Sequence, residues 1–335
     1  MRHRSSLLLF VGVLIGLGVF GLRSTSALTL VPPSLEYKTA KGQTIDGVVK
    51  IINNENRTLV LTPSTANFGA KDETGDPDFK FDAPSADLAS WIKIDTASVT
   101  LELGETKEIP FKIEVPANAE PGGHYAGIFF ASGGSAAGGG QIGVQSKLGS
   151  LVILTVDGNI REQATISSVK LDGPTTVGRP PVDFSIRIKN GGNVHVKPKG
   201  KVTILNMFGG EVETMTLPQD KNVLPGQTRL FEVSWVKKAT SAKKGGFFEE
   251  IGAEFSNFAL GTYTANVEAT YGETDKTMIG KVKFTIIPWR AITVVILGLL
   301  IVIFALTFGL KAYNRMVIRK AQGSMKPPVP PASKE

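Results

Sequence analysis

The sequence predicts an all-β protein: two tandem immunoglobulin-like β-sandwiches followed by a single transmembrane α-helix. Three observations carry that expectation. Apolar and polar residues alternate, with β-branched types and Gly/Asn/Pro breaks, through most of residues 28–288. Three landmarks recur in the same order in the two halves of that stretch. The run Ala291–Leu310 then holds twenty residues without a charge. At about 1.5 Å per residue such a run spans a hydrocarbon core of about 30 Å as one helix.

At the N-terminus, Arg2, His3 and Arg4 precede the apolar stretch Leu7–Leu22, and Arg23-Ser24-Thr25-Ser26-Ala27 ends it. A basic start, a short apolar core and small residues at Thr25 and Ala27 predict a secretory signal peptide over 1–27, cut after Ala27. An uncleaved anchor is the rival reading, but sixteen apolar-stretch residues fall short of a span, which needs about 17–25.

Strand-like segments follow. Ile45–Ile52 leads into a turn at Asn53–Asn56 and then Leu59–Thr62; Val99–Leu103 and Ile109–Val115 come later. Their alternation is that of sheets with one buried face. The first landmark is an apolar strand running into an Asn-rich turn, Ile51-Ile52-Asn53-Asn54 and again Ile188-Lys189-Asn190-Gly191. The second is a glycine turn before a strand, at Gly104 and Gly226; the Gly and Asn positions of these landmarks are expected to supply positive φ at tight turns. The third is Gly-x-Tyr, at Gly123-His124-Tyr125 and Gly261-Thr262-Tyr263, which resembles the tyrosine corner of such sandwiches. The spacings differ: 51 and 21 residues in the first half, 36 and 37 in the second. Two related sandwiches with different insertions are expected.

The expected domains are therefore a signal peptide at 1–27, sandwiches at 28–160 and 161–288, a transmembrane helix at 289–310 and a basic tail at 311–335. The join falls near Asp157–Gly173, and Gly178-Arg179-Pro180-Pro181 introduces the first long strand of the second sandwich. The tail carries six Lys/Arg and one acid, Glu335. The positive-inside bias places it in the cytoplasm and residues 28–289 outside.

That division explains the net charge of +7. Three Lys/Arg lie in the leader and seven in residues 290–335, so 27 of the 37 remain outside against 29 of the 30 acids. The exported part is nearly neutral, which argues against nucleic acid as a partner. The absence of cysteine excludes disulfides, thiolate metal sites and a lipoprotein-type anchor.

A leader comes first, then a sandwich with Pro121-Gly122-Gly123-His124-Tyr125-Ala126-Gly127-Ile128. A sandwich with Asn190-Gly191-Gly192-Asn193 and Val223-Leu224-Pro225-Gly226 follows, then one span and a basic tail. In this order the chain resembles the WxL-interacting protein family of bacterial cell surfaces. The resemblance implies a first domain that binds peptidoglycan and a second that contacts host or partner proteins, with no catalytic residues to carry over. The implied function is non-catalytic binding at the cell surface, the partner being peptidoglycan or a wall-associated surface protein. A structural spacer subunit of a membrane complex is the alternative, and an envelope hydrolase a third reading.

Candidate sites are few. His124 and His195 sit at strand starts without zinc-helix spacing, and neither Gly-x-Ser-x-Gly nor a phosphate loop is present. Both histidines are expected to satisfy local hydrogen bonds. Paired carboxylates could hydrolyse a wall glycan, but no convergent pair is legible. The segment Asp72-Glu73-Thr74-Gly75-Asp76-Pro77-Asp78 offers a weak Ca²⁺ candidate in Asp72, Glu73, Asp76 and Asp78. It lacks EF-hand spacing, and a solvated acidic loop is the preferred reading. No catalytic residue, cofactor or resident metal is expected.

Ala131–Gly140 reads as a flexible connection and Lys237–Lys244 as a solvated basic loop, with anionic wall polymer or lipid headgroups as the latter's alternative ligand. Phe248, Ile251, Phe255 and Phe258 fall at helical spacing and are expected to pack against their own sandwich. Docking to a partner or the membrane is the minority reading. Trp91 and Trp235 are expected in cores, Trp289 at a membrane interface. Pro327–Pro331 is expected to be disordered.

Overall fold

A computed structural model describes residues 28–82, 87–132, 147–237 and 246–323. The leader over 1–27, most of the glycine-rich stretch, Lys238–Lys244 and the proline-rich tail lie outside the described residues. The chain forms two compact units. The first is Met1–Gln163 together with the loops Gly191–His195 and Leu224–Gln227; the second is Ala164–Asn190, Val196–Val223 and Thr228–Glu335.

The first unit is a β-sandwich. Its strands are β1 (Leu28–Val31), β2 (Ser34–Thr39), β3 (Thr44–Asn53), β4 (Leu59–Ala70), β5 (Pro77–Phe79), β6 (Ile92–Lys93), β7 (Val99–Leu101), β8 (Thr106–Glu114), β9 (Gly122–Ser132) and β10 (Lys147–Val156). A four-residue helix, α1 (Leu88–Trp91), precedes β6. One sheet has the order β1-β3-β8-β6 and the other β2-β10-β9-β4-β5, with β7 also on β4. Alternation dictates the layers: Ile109, Phe111 and Ile113 of β8 are buried while their neighbours are exposed. They meet Ala126, Ile128 and Phe130 of β9 and Val152, Leu154 and Val156 of β10 in one core. Gly47 of β3 is bare because the Phe111 ring lies over it; a Cβ there would stand 2.2 Å from Phe111 Cζ.

The second unit is again a sandwich. Its strands are β11 (Ala164–Leu171), β12 (Thr176–Val177), β13 (Val182–Asn190), β14 (Lys199–Leu205), β15 (Glu211–Thr216), β16 (Thr228–Trp235), β17 (Gly261–Tyr271) and β18 (Lys276–Ile286). The sheets run β11-β13-β16 and β12-β18-β17-β14-β15. Phe184, Ile186, Phe231 and Trp235 from the first sheet bury against Val202, Ile204, Tyr263 and Phe284 from the second.

Strand order makes the two sandwiches versions of one fold. In each, the opening strand pairs antiparallel within one sheet, and its continuation crosses over to pair parallel with the closing strand: β1 then β2 on β10, β11 then β12 on β18. Asn53 and Asn190 end corresponding strands, both fully buried, and neither takes the positive φ expected of the Asn-rich turns, because each is still strand. Asn53 Nδ2–H donates to the carbonyls of Leu101 and Glu102, and Asn190 Nδ2–H to that of Val223. Gly104 and Gly226 hold φ of 73° and 74° just before β8 and β16, a conformation that favours glycine. The spacing difference is also located: β5, α1, β6 and β7 intervene between β4 and β8, where only β15 separates β14 from β16. Conversely, β8 and β9 are joined directly, whereas a helix, α2 (Phe247–Ser256), stands between β16 and β17.

The third landmark needs correction. Tyr263 faces the core of the second sandwich, with its hydroxyl 3.5 Å from the Leu260 carbonyl. Tyr125 does not face the core. In the cross-strand register Tyr263 opposes Phe284 and His124 opposes Leu154, and both Phe284 and Leu154 lie two residues before the end of a closing strand. The corner position of the first sandwich is therefore filled by His124. A shift of one residue along a strand turns every side chain to the other face, so Tyr125 points outward.

Helix α3 (Trp289–Gly323) has 35 residues, and its segment Trp289–Lys320 is long and apolar enough to cross a membrane. It continues past Leu310, where the tail was expected to begin, carrying Lys311, Arg315, Arg319 and Lys320 on helix. Straight-chain residues there sustain helix once it is nucleated. A second correction concerns α2. The expected packing of Phe248 and Phe255 against the sandwich does not occur: Phe248 is 85 % exposed, and Phe255 and Phe258 are exposed too. The inward face is taken by Glu250 and Glu254 instead. Glu250 forms a two-point pair with Arg179, and Glu254 accepts from Arg290 and from the Ala291 backbone N–H.

Candidate functional site

The outward phase of β9 builds a face on the first sandwich. Gly123, Tyr125, Gly127 and Phe129 alternate along it, and glycine makes room for rings. A Cβ on Gly127 would lie 2.6 Å from Phe129 Cζ and 3.2 Å from Phe79 Cε1; one on Gly149, opposite Phe129 in β10, would lie 2.4 Å from that ring. One on Gly123 would meet the Tyr125 hydroxyl at 2.0 Å. Side chains from β4, β5 and the turn after β5 complete the surface. Phe68 meets Phe79 at 5.5 Å and Tyr125 at 5.9 Å, and Phe79 and Phe81 approach Phe129 at 4.7 and 4.9 Å. Most of these contacts are edge-to-face, the geometry that ring quadrupoles favour. Lys147 sets its ammonium 3.8 Å from the Phe81 ring centroid.

The Tyr125 end of this face opens into a cleft of about 480 Å³. Phe68, Glu120, His124, Tyr125, Asn193 and Gln227 are among its walls. The loop Gly191–His195 is pinned there: the Gly123 N–H donates to the Asn193 carbonyl, while the Asn193 amide donates to the carbonyls of Asn159 and Pro121. The Arg161 N–H donates to Asn193 Oδ1. Burial pushes the Tyr125 hydroxyl far above its ordinary pKa. Tyr125 is thus a neutral phenol at any physiological pH.

Behind it, His124 is held at both ring nitrogens, by the Asp87 carboxylate on Nδ1 and the Glu120 carbonyl, 2.9 Å away, on Nε2. Trp91 lies across its ring at 4.7 Å. Burial works to lower the His124 pKa, but the bonds to Asp87 and Glu120 outweigh it, so the imidazole sits above its ordinary value. With both N–H groups donating to fixed acceptors, the ring has neither a free lone pair for a metal nor an acceptor site for a substrate proton.

The other sequence candidates are placed as follows. Asp72, Glu73 and Asp76 lie in the β4–β5 turn, and Asp78 lies in β5 opposite Gly69. Asp72 accepts from the N–H and hydroxyl of Thr74, which hold its carboxyl below the usual range, and Asp78 pairs with Lys80. Among the described residues no group of three or more His, Asp or Glu is placed to hold a metal ion. His195 stands edge-on to Tyr125 at 6.0 Å. Trp235 is core, against Tyr263 and Phe284, and Trp91, at the end of α1, is half-buried and packs against the first core. Trp289 is exposed at the start of α3 with Arg290 over its ring.

Phe68, Phe79 and Phe81 were invisible to residue-by-residue reading. The signal that could have found the face is the alternation of glycine with aromatics in Gly123-His124-Tyr125-Ala126-Gly127-Ile128-Phe129.

No family model and no curated protein matches the sequence. Solved structures do. The class 5 fimbriae chaperone CfaA is 12 % identical over 76 % of this chain and 98 % of its own, with a TM-score of 0.40. The E. coli chaperone DraB is 7 % identical over 78 % and 97 %, with a TM-score of 0.36. The Pseudomonas aeruginosa chaperone CupB2 is 7 % identical over 77 % and 100 %, with a TM-score of 0.33. At these values the likeness carries no argument about what this chain binds.

Proposed function

We propose that this chain is a membrane-anchored, non-catalytic binding protein of the bacterial cell envelope, displayed outside with its basic end in the cytoplasm. Its ligand is peptidoglycan, engaged by the first sandwich. The observation that carries the reading is the aromatic face of Phe68, Phe79, Phe81 and Tyr125, laid over glycines and the buried Phe129 ring and continuous with the cleft. Rings laid over bare backbone give a rigid apolar platform, and the cleft adds fixed amide and carbonyl groups at its end. A glycan presents apolar C–H faces and a polar rim, which such a combination suits. The cleft volume lies in the usual range for binding sites, about 300–1,000 Å³. The resemblance to the WxL-interacting family points the same way.

The test uses the full-length chain in detergent, incubated with purified sacculi and sedimented. Saturable co-sedimentation, weakened at least tenfold by Phe81→Ser, is the expected result. Phe81 is exposed, so its replacement leaves the core intact. Sedimentation indifferent to that change would move the contact elsewhere. Recovery of one envelope protein without sacculus binding would favour a spacer subunit, and loss of wall polymer during incubation an envelope hydrolase.

A further inference from the structure

Helix α2 is amphipathic in the wrong sense for a surface in water. Its carboxylates Glu250 and Glu254 point into the protein, Glu254 with no exposure at all, while Phe247, Phe248 and Phe255 point away. A monomer in water gains nothing from that arrangement, since each exposed ring forgoes the free energy of burial. The helix is also fastened to the first turn of α3, through Glu254 to Arg290 and to the Ala291 N–H.

A second exposed apolar element lies at the same end of the sandwich. Strand β14 ends beside the start of β17, where Leu205 opposes Thr264, and β17 starts beside the end of β18, where Gly261 opposes Ile286. The β14–β15 turn, Asn206–Gly210, therefore projects from the end at which α3 departs. Its tip is Met207-Phe208, with Phe208 89 % exposed. A Cβ on Gly261 would lie 3.3 Å from Met207 Sδ, which places the turn against the start of β17.

We propose that this end of the second sandwich lies in the headgroup–acyl boundary of the lipid bilayer that α3 enters. In this arrangement α2 is an interfacial helix and Phe208 a second anchor. The proposal rests on α3 being a membrane span. Lipid is the occupant because the exposed rings continue the apolar surface of the span, beginning at Trp289, rather than forming an isolated patch. The buried Glu–Arg pairs fix α2 to the helix axis, so the sandwich is held at one tilt instead of swinging on a flexible link.

The test places the full-length chain in liposomes containing brominated phosphatidylcholine. The variants Phe248→Trp, Phe208→Trp, Thr274→Trp and Phe304→Trp are each read as the difference from the parent fluorescence. Thr274 is exposed in the β17–β18 turn, at the opposite end of the sandwich, and Phe304 lies within the span. Tryptophan at 248 and 208 is expected to be quenched several-fold more than at 274, and most strongly by lipid brominated near the headgroup. Quenching at 304 without quenching at 248 and 208 overturns the proposal and leaves the span standing. Absence of quenching at 304 removes the span and the proposal together. Phe248→Ser with Phe255→Ser is expected to keep the parent melting temperature; a large loss would place those rings in the protein core and overturn the proposal.

Discussion

His124 occupies the corner position that Tyr263 fills in the second sandwich, and the substitution turns a neutral anchor into a titratable one. A phenol can offer one hydrogen bond to the backbone; an imidazolium can also bind a carboxylate, here Asp87. Because the folded state raises the His124 pKa above its ordinary value of about 6.5, its contribution to stability is complete below that value. It is lost as pH rises through the folded-state pKa. The melting temperature of the first sandwich is therefore expected to fall between pH 6 and pH 9. The variant His124→Gln is expected to melt lower at pH 6, by about 1–2 kcal/mol of stability for a charge-assisted bond to a half-exposed carboxylate, and to show a flatter pH profile. Calorimetry of parent and variant across that range checks both. An unchanged slope in the variant would assign the titration to another group.

Strand β9 works through its two phases. One phase, Ala126, Ile128 and Phe130, is core, and the other is the ring-bearing face that three glycines make possible. Gly127→Ala is expected to cost about 1–3 kcal/mol, the usual range for overpacking, since its Cβ would start 2.6 Å from Phe129. It is also expected to abolish sacculus binding while leaving the buried phase untouched. Thermal denaturation and the sedimentation assay check the pair. These elements also mark how much was legible in the sequence. Alternation and turn residues are local signals, so the sandwiches and the positive φ of Gly104 and Gly226 could be read directly, whereas Asn53 and Asn190 act through side-chain amides bonded to carbonyls 48 and 33 residues away, at Leu101 and Val223. Which phase of β9 faces the core was not readable, because that depends on register against β10, where the partner of His124 is Leu154, thirty residues away. The aromatic face depends on β4 and β5 coming alongside, and the inversion of α2 on Arg179 and Arg290, 71 and 36 residues from their partners. Local periodicity identified the helix but not which side the protein would cover.

At the scale of the whole molecule, the proposed orientation rests on charge. The 35 residues of α3 rise about 52 Å at 1.5 Å each, well beyond a hydrocarbon core of about 30 Å. In the proposed span the apolar run fills the core, and the last turns carry Lys311, Arg315, Arg319 and Lys320 past it as a basic helical stub. On the other side Arg290 is neutralised by Glu254 and Glu250, so the cationic asymmetry across the span is sharper than a count of residues suggests. An anionic inner leaflet attracts each such side chain by about 1 kcal/mol. Replacing those four residues with Gln is thus expected to leave the sandwiches folded but to produce a mixed orientation. In right-side-out vesicles, trypsin is expected to reach the sandwiches of the parent and to spare its tail. In the Gln variant a fraction of molecules becomes protected over the sandwiches instead. Uniform orientation of that variant would transfer control of topology to the leader, and would leave the basic stub as a lipid contact alone.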